Sequence, residues 1–97
     1  MLLTVSEIKK LLKNWHFYKA YTLEQKSECE LVKKLNAIEA AVNMLNDVSR
    51  TILQMKYFKG YEMEVIAESV FISRRAAYYR VQTALKEISY IIANINI

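Results

Sequence analysis

Apolar side chains recur at intervals of three and four residues along most of this chain, a spacing that places them on one face of an α-helix. The first such stretch begins just after Thr4, and the segment from Thr4 to Glu7 has the S/T-x-x-E form of a helix-capping box. We therefore predict a first helix that begins at Thr4 and breaks near Thr22. Its apolar positions are Val5, Ile8, Leu11, Leu12, Trp15 and Tyr18.

A second stretch has apolar residues spaced four, three, four and three positions apart, as in the a/d seam of two helices that pack side by side. The members of this seam are Leu31, Leu35, Ile38, Val42 and Leu45. We favour the first helix as the partner, packed back as an antiparallel hairpin, because the seam spans only about two to three heptads and coiled coils usually sustain three or four. A coiled-coil contact between two copies of the chain is the alternative.

The second half of the chain shows three helical stretches separated by capping residues and a single glycine. Asn46 or Asp47 can cap the first of them, and Gly60 follows it as a C′ residue in the left-handed conformation. A short helix is predicted from Glu62 to Val70, and Ser73 is a good N-cap for a last helix that continues into the 90s. The apolar positions of these helices are Val48, Ile52, Leu53 and Met55, then Met63, Val65 and Ile66, then Ala77, Val81, Ala84, Leu85, Ile88, Ile91 or Ile92, and Ile95.

Composition supports helices and excludes several classes of protein. The 97 residues include one glycine and no proline, so the chain lacks the turn residues that a sheet-rich protein needs. A single cysteine, Cys29, allows no intrachain disulfide, and since we also expect no signal peptide, we predict a cytoplasmic location. We find no apolar run long enough for a membrane span, and no carboxylate pair, metal-ligand cluster, phosphate loop or nucleophile–base set. We therefore predict no membrane association, no cofactor and no enzymatic activity.

The distribution of charge points to nucleic acid. The net charge of +4 is divided evenly between the two halves, but every arginine lies in the second half. Between Ser69 and Lys86 there are four basic residues and no acid. The guanidinium group presents a planar fork of donors that suits phosphates and guanine edges. Because a short helix, a tight turn and a longer helix that opens with arginines form the arrangement of a helix-turn-helix, we predict double-stranded DNA as a partner.

The last helix is expected to enter the major groove of DNA by its N-terminus. With Ser73 as the cap, Arg74 and Arg75 occupy the first turn, and a tyrosine follows four residues after each of them. We expect arginine to bond guanine through two hydrogen bonds and tyrosine to reach a phosphate or a thymine methyl group. Arg80 and Lys86 are placed for flanking phosphates. The predicted DNA-binding residues are Ser73, Arg74, Arg75, Tyr78, Tyr79, Arg80, Gln82 and Lys86.

A series of residues between Asp47 and Ile88 also matches a known pattern: Arg50, Ile52-Leu53, Tyr57, Gly60, Val65-Ile66-Ala67, Ile72-Ser73, Ala84-Leu85 and Ile88. On these residues the segment resembles region four of bacterial sigma factors, in which the last helix reads a promoter element in the major groove. The short chain, its helical N-terminal extension and the run from Ser73 to Arg80 resemble the small phage-encoded transcriptional regulators of the ArpU and RinA type. Proteins of that type carry a sigma-like helix-turn-helix and activate late or packaging genes.

Two features of the motif are unusual. Phe71 stands where many helix-turn-helix turns hold a glycine, and phenylalanine tolerates a positive φ poorly. Either the turn is built differently, or Phe71 covers an apolar face or a partner contact. The second feature is an acidic trio on the first helix of the motif, Glu62, Glu64 and Glu68, which we expect to face away from phosphates.

We predict an all-α fold with an N-terminal helical hairpin (residues 1–46) for packing or dimerisation, followed by a sigma region four-like helix-turn-helix (residues 47–97). The predicted function is a sequence-specific DNA-binding transcriptional regulator of phage or prophage origin. RNA polymerase is a second candidate partner, through the N-terminal helices, and a homodimer is left open. The alternatives are a protein-interaction module that uses the seam or the isoleucine-rich tail, and a DNA-recognition subunit of a phage packaging complex.

Overall fold

The computed structural model describes residues 2–23 and 29–94. Within these ranges the chain consists of helices and turns, without a strand. The elements are α1 (Val5–Lys13), α2 (Trp15–Thr22), α3 (Glu30–Asn43), α4 (Asp47–Leu53), a π-helical turn (Gln54–Phe58) that continues α4, α5 (Met63–Ser69) and α6 (Arg74–Asn94). The predicted all-α fold is therefore confirmed. None of the described helices is long and apolar enough to cross a bilayer.

Three helices begin at the capping residues that the sequence predicted. In each case a side-chain oxygen accepts a hydrogen bond from a backbone N–H that has no partner inside its own helix. Glu7 N donates to Thr4 Oγ1 at 3.1 Å, Ser49 N to Asn46 Oδ1 at 2.9 Å, and Ala76 N to Ser73 Oγ at 3.0 Å. The starts of α1, α4 and α6 are therefore fixed by local sequence.

The central element of the fold is α6. Four helices pack against it, namely α1, α3, α4 and α5. Its 21 residues make it about 32 Å long, which is enough to support helices from both halves of the chain. Its buried residues are Ala77, Val81, Ala84, Leu85, Ile88 and Ile92. The last position of the predicted apolar pattern, Ile95, lies outside the described residues.

The apolar seam of α3 finds its main partner in α6 and not in the first helix. Contact with α6 is the largest that α3 makes, and contact with α2 is smaller. Two ion pairs also join the predicted first helix to α3: Lys34 Nζ lies 3.8 Å from Glu7 Oε2, and Lys19 Nζ lies 3.5 Å from Glu39 Oε2. This corrects the predicted pairing, and the reason is that α6 offers a longer apolar face. Four seam residues are buried within one chain, so they are not available for a coiled coil with a second copy: Leu35, Ile38, Val42 and Leu45.

One hydrophobic core runs through both halves of the chain. It includes Leu12 of α1 and Ile38 of α3 together with Ile66 of α5 and Leu85 of α6. A hydrogen bond from Ser89 Oγ to the carbonyl oxygen of Leu3, at 2.7 Å, ties the far end of α6 to the N-terminus. The division into residues 1–46 and 47–97 stays a prediction, and the core crosses it.

Two local features were not predicted. The first helical stretch is broken at Asn14, where φ is −113° and ψ is 29°, before it ends at Thr22 as expected. The second is the π-helical turn, in which Lys59 N donates to Gln54 O at 3.0 Å. A ring nitrogen of His16 lies 2.6 Å from the carbonyl oxygen of Phe58 and so joins α2 to the end of that turn.

Two valines that were expected in the core are exposed. Val48 of α4 retains 38% of its accessible surface and Val65 of α5 retains 46%. Their neighbours fill the core instead, since Ile52 and Ile66 are fully buried. Helices of seven residues make only about two turns, so their apolar pattern alone could not fix which side faces inward.

The turns before α5 and before α6 both use the left-handed region of backbone conformation. Gly60 has φ of +75°, as predicted. Phe71 has φ of +59°, so it adopts the conformation of a glycine at this turn, and its side chain is 94% exposed. A non-glycine residue in this region is strained by roughly 1–2 kcal/mol. The positive φ excludes the explanation that the turn is built differently, and the exposed ring excludes cover of an apolar face of the same chain; a partner contact stays a prediction.

We expect Phe71→Gly to stabilise the fold by about 0.5–1 kcal/mol, because the strain removed exceeds the extra backbone entropy of glycine in the unfolded chain. For a domain of this size the melting temperature should rise by about 2–8 °C in a thermal unfolding experiment. Gly60→Ala is the matched control and should lower the melting temperature, because alanine is strained at a positive φ. A Cβ at this position meets no atom within 4 Å, so the backbone strain alone is measured. A lower melting temperature for Phe71→Gly would show that the phenyl ring makes a stabilising contact.

Candidate nucleic-acid interface

A helix-turn-helix is formed by α5, the turn from Val70 to Ser73, and α6. The two helices pack directly against each other. Ala67, a small residue of α5, is buried, with 4% of its surface exposed. In the turn, Ile72 N donates to Ala67 O at 3.1 Å, and the Ile72 side chain packs against the core. The start of α6 is thereby held in a fixed direction relative to α5.

The buried face of α6 determines which side chains project outward. Successive residues of an α-helix are rotated by about 100°, so the side opposite Ala77, Val81 and Leu85 faces solvent. Arg75, Tyr79 and Gln82 lie on that outer side and Tyr78 lies at its edge, whereas Arg74 has the angular position of the buried face and is exposed at the first position of the helix. We call these residues the reading strip: Arg74, Arg75, Tyr78, Tyr79 and Gln82.

All eight predicted DNA-binding residues are exposed, including Ser73, Arg80 and Lys86, which lie outside the reading strip. Tyr78 retains 46% and Tyr79 73% of its accessible surface, so neither ring is taken up by the core. Arg80 follows Arg75 by five positions and is therefore rotated from it by about 140°. Lys86 lies on the outer side of α6, whereas Arg80 lies on the flank of the helix opposite Tyr78 and Gln82.

The arginines at the start of α6 are unpaired in the part of the chain that the structure describes. No carboxylate of residues 2–23 or 29–94 lies within salt-bridge distance of Arg74, Arg75 or Arg80. Arg50, in contrast, pairs with Asp47 on α4. A guanidinium that is not held by a carboxylate keeps all five of its N–H donors for an external acceptor. The groups expected to contact DNA are thus free to do so.

A recess opens beside the reading strip, with a volume of about 340 Å³. Arg74 and Tyr78 belong both to this recess and to the strip. Two members of the acidic trio, Glu62 and Glu64, also line it, and Glu68 does not; the expectation that the trio faces away from phosphates stays a prediction. We call it the charged recess, and its residues are Lys56, Tyr61, Glu62, Met63, Glu64, Arg74 and Tyr78.

Two of these residues were missed as site residues. Lys56 comes from the π-helical turn, where its Nζ lies 5.3 Å from the centre of the Tyr57 ring. Burial raises the pKa of the Tyr57 phenol above its ordinary value. Tyr61 follows Gly60, and the reversal at that glycine carries it to the start of α5. The position of Gly60 was the only signal in the sequence for this convergence.

Comparison with known families agrees with this geometry. The family model described as sigma-70, region 4, matches residues 35–88, which include α4, α5 and most of α3 and α6. No curated protein and no solved structure matches the chain. Among the described residues, no three His, Cys, Asp or Glu side chains come together as a metal site.

Proposed function

This chain belongs to the sigma-70 region 4 family, and from that membership we propose that it is a sequence-specific transcriptional regulator that reads double-stranded DNA in the major groove. The family is defined by a DNA-binding helix-turn-helix, and this chain has one. The finer statement, that the first two turns of α6 read bases, rests on the residues that those turns carry.

The observation that carries the proposal is the reading strip itself. Arg74 and Arg75 are exposed at the start of a helix, and no salt bridge to described residues occupies them. Arginine can donate two hydrogen bonds to the O6 and N7 atoms of guanine, a pattern that only this base presents in the major groove. The N-terminal end of α6 adds a favourable potential toward the phosphates on either side.

The remaining strip residues have complementary roles in this proposal. Tyr78 and Gln82 are one turn apart on the same flank of α6, so both can lie along one wall of the groove. Tyrosine is suited to a phosphate or a thymine methyl group, and glutamine to the N6 and N7 atoms of adenine. Ser73 is engaged in capping α6, and its neighbouring backbone is left to approach a phosphate.

The origin of the protein, its location in the cell and its contact with RNA polymerase are also proposals. The resemblance to phage regulators supports a phage or prophage origin and action in the cytoplasm or nucleoid. Region 4 domains make contact with RNA polymerase plausible, and the exposed surface of α1 to α3 is available for it. If two copies assemble, their reading strips would face half-sites about 34–36 Å apart.

Selection of bound sites from random duplex DNA, followed by titration at several salt concentrations, tests the function. We expect one enriched motif and an affinity that falls steeply with salt. Binding that is absent at low salt would contradict the proposal and favour a protein-interaction module. Light scattering on the same sample gives the oligomeric state, and a ring-like oligomer would favour a packaging complex.

Lys86→Ala should weaken binding to every sequence alike, because Lys86 lies about 16 Å along the helix axis from Arg75, beyond the base-reading turns. Loss of one phosphate contact should reduce the slope of log K against log salt by about 0.9 and leave the selected motif unchanged. Lys9→Ala, on the exposed side of α1, is the control and should alter neither. A change of motif in Lys86→Ala would place this lysine among the base-reading residues.

A further inference from the structure

The charged recess holds opposing charges at the place where DNA is expected to bind. Lys56 and Arg74 contribute two positive charges, and Glu62 and Glu64 contribute two negative charges, so the formal charge of the recess is zero. All four residues line one space, and no salt bridge neutralises Arg74 locally within the described chain. The carboxylates therefore act on whatever approaches Arg74 from outside.

The distances involved are short enough for this action to survive in salt. A sphere of 340 Å³ is about 9 Å across, close to the Debye length of about 8 Å at physiological ionic strength. A phosphate that approaches Arg74 through the recess thus meets two negative charges whose repulsion is reduced by salt but not removed. The attraction of Arg74 and Lys56 for that phosphate is offset by the repulsion of Glu62 and Glu64.

A base edge is affected differently from a phosphate. The O6 and N7 acceptors of guanine carry partial charges on a neutral base, so nearby carboxylates repel them far less than they repel a phosphate. Two carboxylates beside Arg74 consequently reduce its binding to the DNA backbone more than its binding to guanine. Weaker binding to DNA without the motif increases the difference between the non-specific and the specific binding free energy, and specificity is that difference.

We propose that Glu62 and Glu64 are specificity-determining residues, which lower affinity for DNA without the preferred motif more than affinity for the motif itself. This inference rests on the proposed function, since it assumes that α6 binds DNA. It assigns a role to the two carboxylates at the start of α5, whereas a purely attractive interface would have no use for them.

The test is the double variant Glu62→Gln/Glu64→Gln, which removes both charges and keeps the side-chain size. Both positions are exposed, so the variant should fold, and its helical content and melting temperature verify this. We expect it to bind mixed-sequence duplex about three- to tenfold more tightly at low salt, with a steeper salt dependence. Affinity for the selected motif should rise less, so the ratio of specific to non-specific binding should fall.

The matched control is Glu68→Gln/Glu87→Gln, which removes the same number of negative charges outside the recess. It should change non-specific affinity less than twofold, an effect of net charge alone. The inference is overturned if the recess variant matches this control, or if it binds either DNA more weakly than the wild type. If wild type and variant both fail to bind DNA, the proposed function fails, and the inference fails with it.

Discussion

Ile66→Ala is expected to lower the free energy of unfolding by about 3–4 kcal/mol, the range for a large aliphatic side chain removed from a packed core. Ile66 is fully buried in α5, the first helix of the helix-turn-helix, and belongs to the core. A domain of this size is stable by only about 5–15 kcal/mol, so this single change should remove a large share of the total. Denaturant titration followed by far-UV circular dichroism measures the loss, with the slope m unchanged.

The neighbouring residue provides a control on the same helix. Val65→Ala removes an apolar side chain of similar size, but Val65 is 46% exposed, so we expect a cost below about 1 kcal/mol. Similar losses at the two positions would mean that α5 presents a different face to α6. The whole arrangement of the reading strip depends on that packing.

The same denaturant titration tests whether the two halves of the chain unfold as one cooperative unit. Trp15 is buried in the N-terminal half and its ring lies 5.0 Å from that of Phe58 in the C-terminal half, so its fluorescence reports on the contact between the two halves. Circular dichroism reports on all helices. Coincident transitions from the two probes indicate one cooperative unit. Separate transitions would favour independent domains at residues 1–46 and 47–97.

Much of the fold was predictable because its signals are local. Thr4, Asn46 and Ser73 each bond to a backbone N–H three residues away, so the capping pattern in the sequence was sufficient. Gly60 is similar, since the left-handed turn selects the residue that adopts it most readily. In α6 the apolar pattern extends over more than four turns, and its phase is therefore unambiguous.

The errors arose where distant parts of the chain decide the outcome. Val48 and Val65 fit an apolar pattern in short helices, but the direction of α6 determines which side of those helices is buried. The seam of α3 required a partner, and nothing local indicated that α6 offers more apolar surface than α1. The break at Asn14 has no glycine or proline to announce it.

The candidate site likewise has one part that local sequence determines and one part that distant contacts determine. The reading strip was predictable because Ser73 fixes the start of α6 and thus the angular position of every later residue. The charged recess was not, because it joins a lysine of the π-helical turn to the starts of two other helices. The sequence consequently did not indicate that the turn at Gly60 brings Glu62 and Glu64 beside Arg74.

The largest expected effect on function comes from Arg74→Ala/Arg75→Ala. A good bidentate hydrogen-bond pair to a base contributes about 1–3 kcal/mol of discrimination, and each 1.4 kcal/mol is a factor of ten. Removing both guanidinium groups at once should weaken binding to the selected motif by about 100- to 1,000-fold. Binding to mixed-sequence DNA should fall much less, so the preference of the protein should nearly disappear. Fluorescence anisotropy with both DNA types measures the two affinities.

Two comparison variants separate base recognition from charge. Lys9→Ala/Lys33→Ala removes two exposed positive charges from α1 and α3, and it should lower the affinity for the selected motif only severalfold. Arg74→Lys/Arg75→Lys keeps both charges but loses the planar fork, so it should retain most non-specific affinity and still lose the motif preference. If the double alanine variant discriminates between the two DNA types as well as the wild type, then α6 does not read bases through its first turn. A double lysine variant with full preference would indicate that Arg74 and Arg75 act only as charges toward phosphate, and base recognition would then have to come from Tyr78 and Gln82.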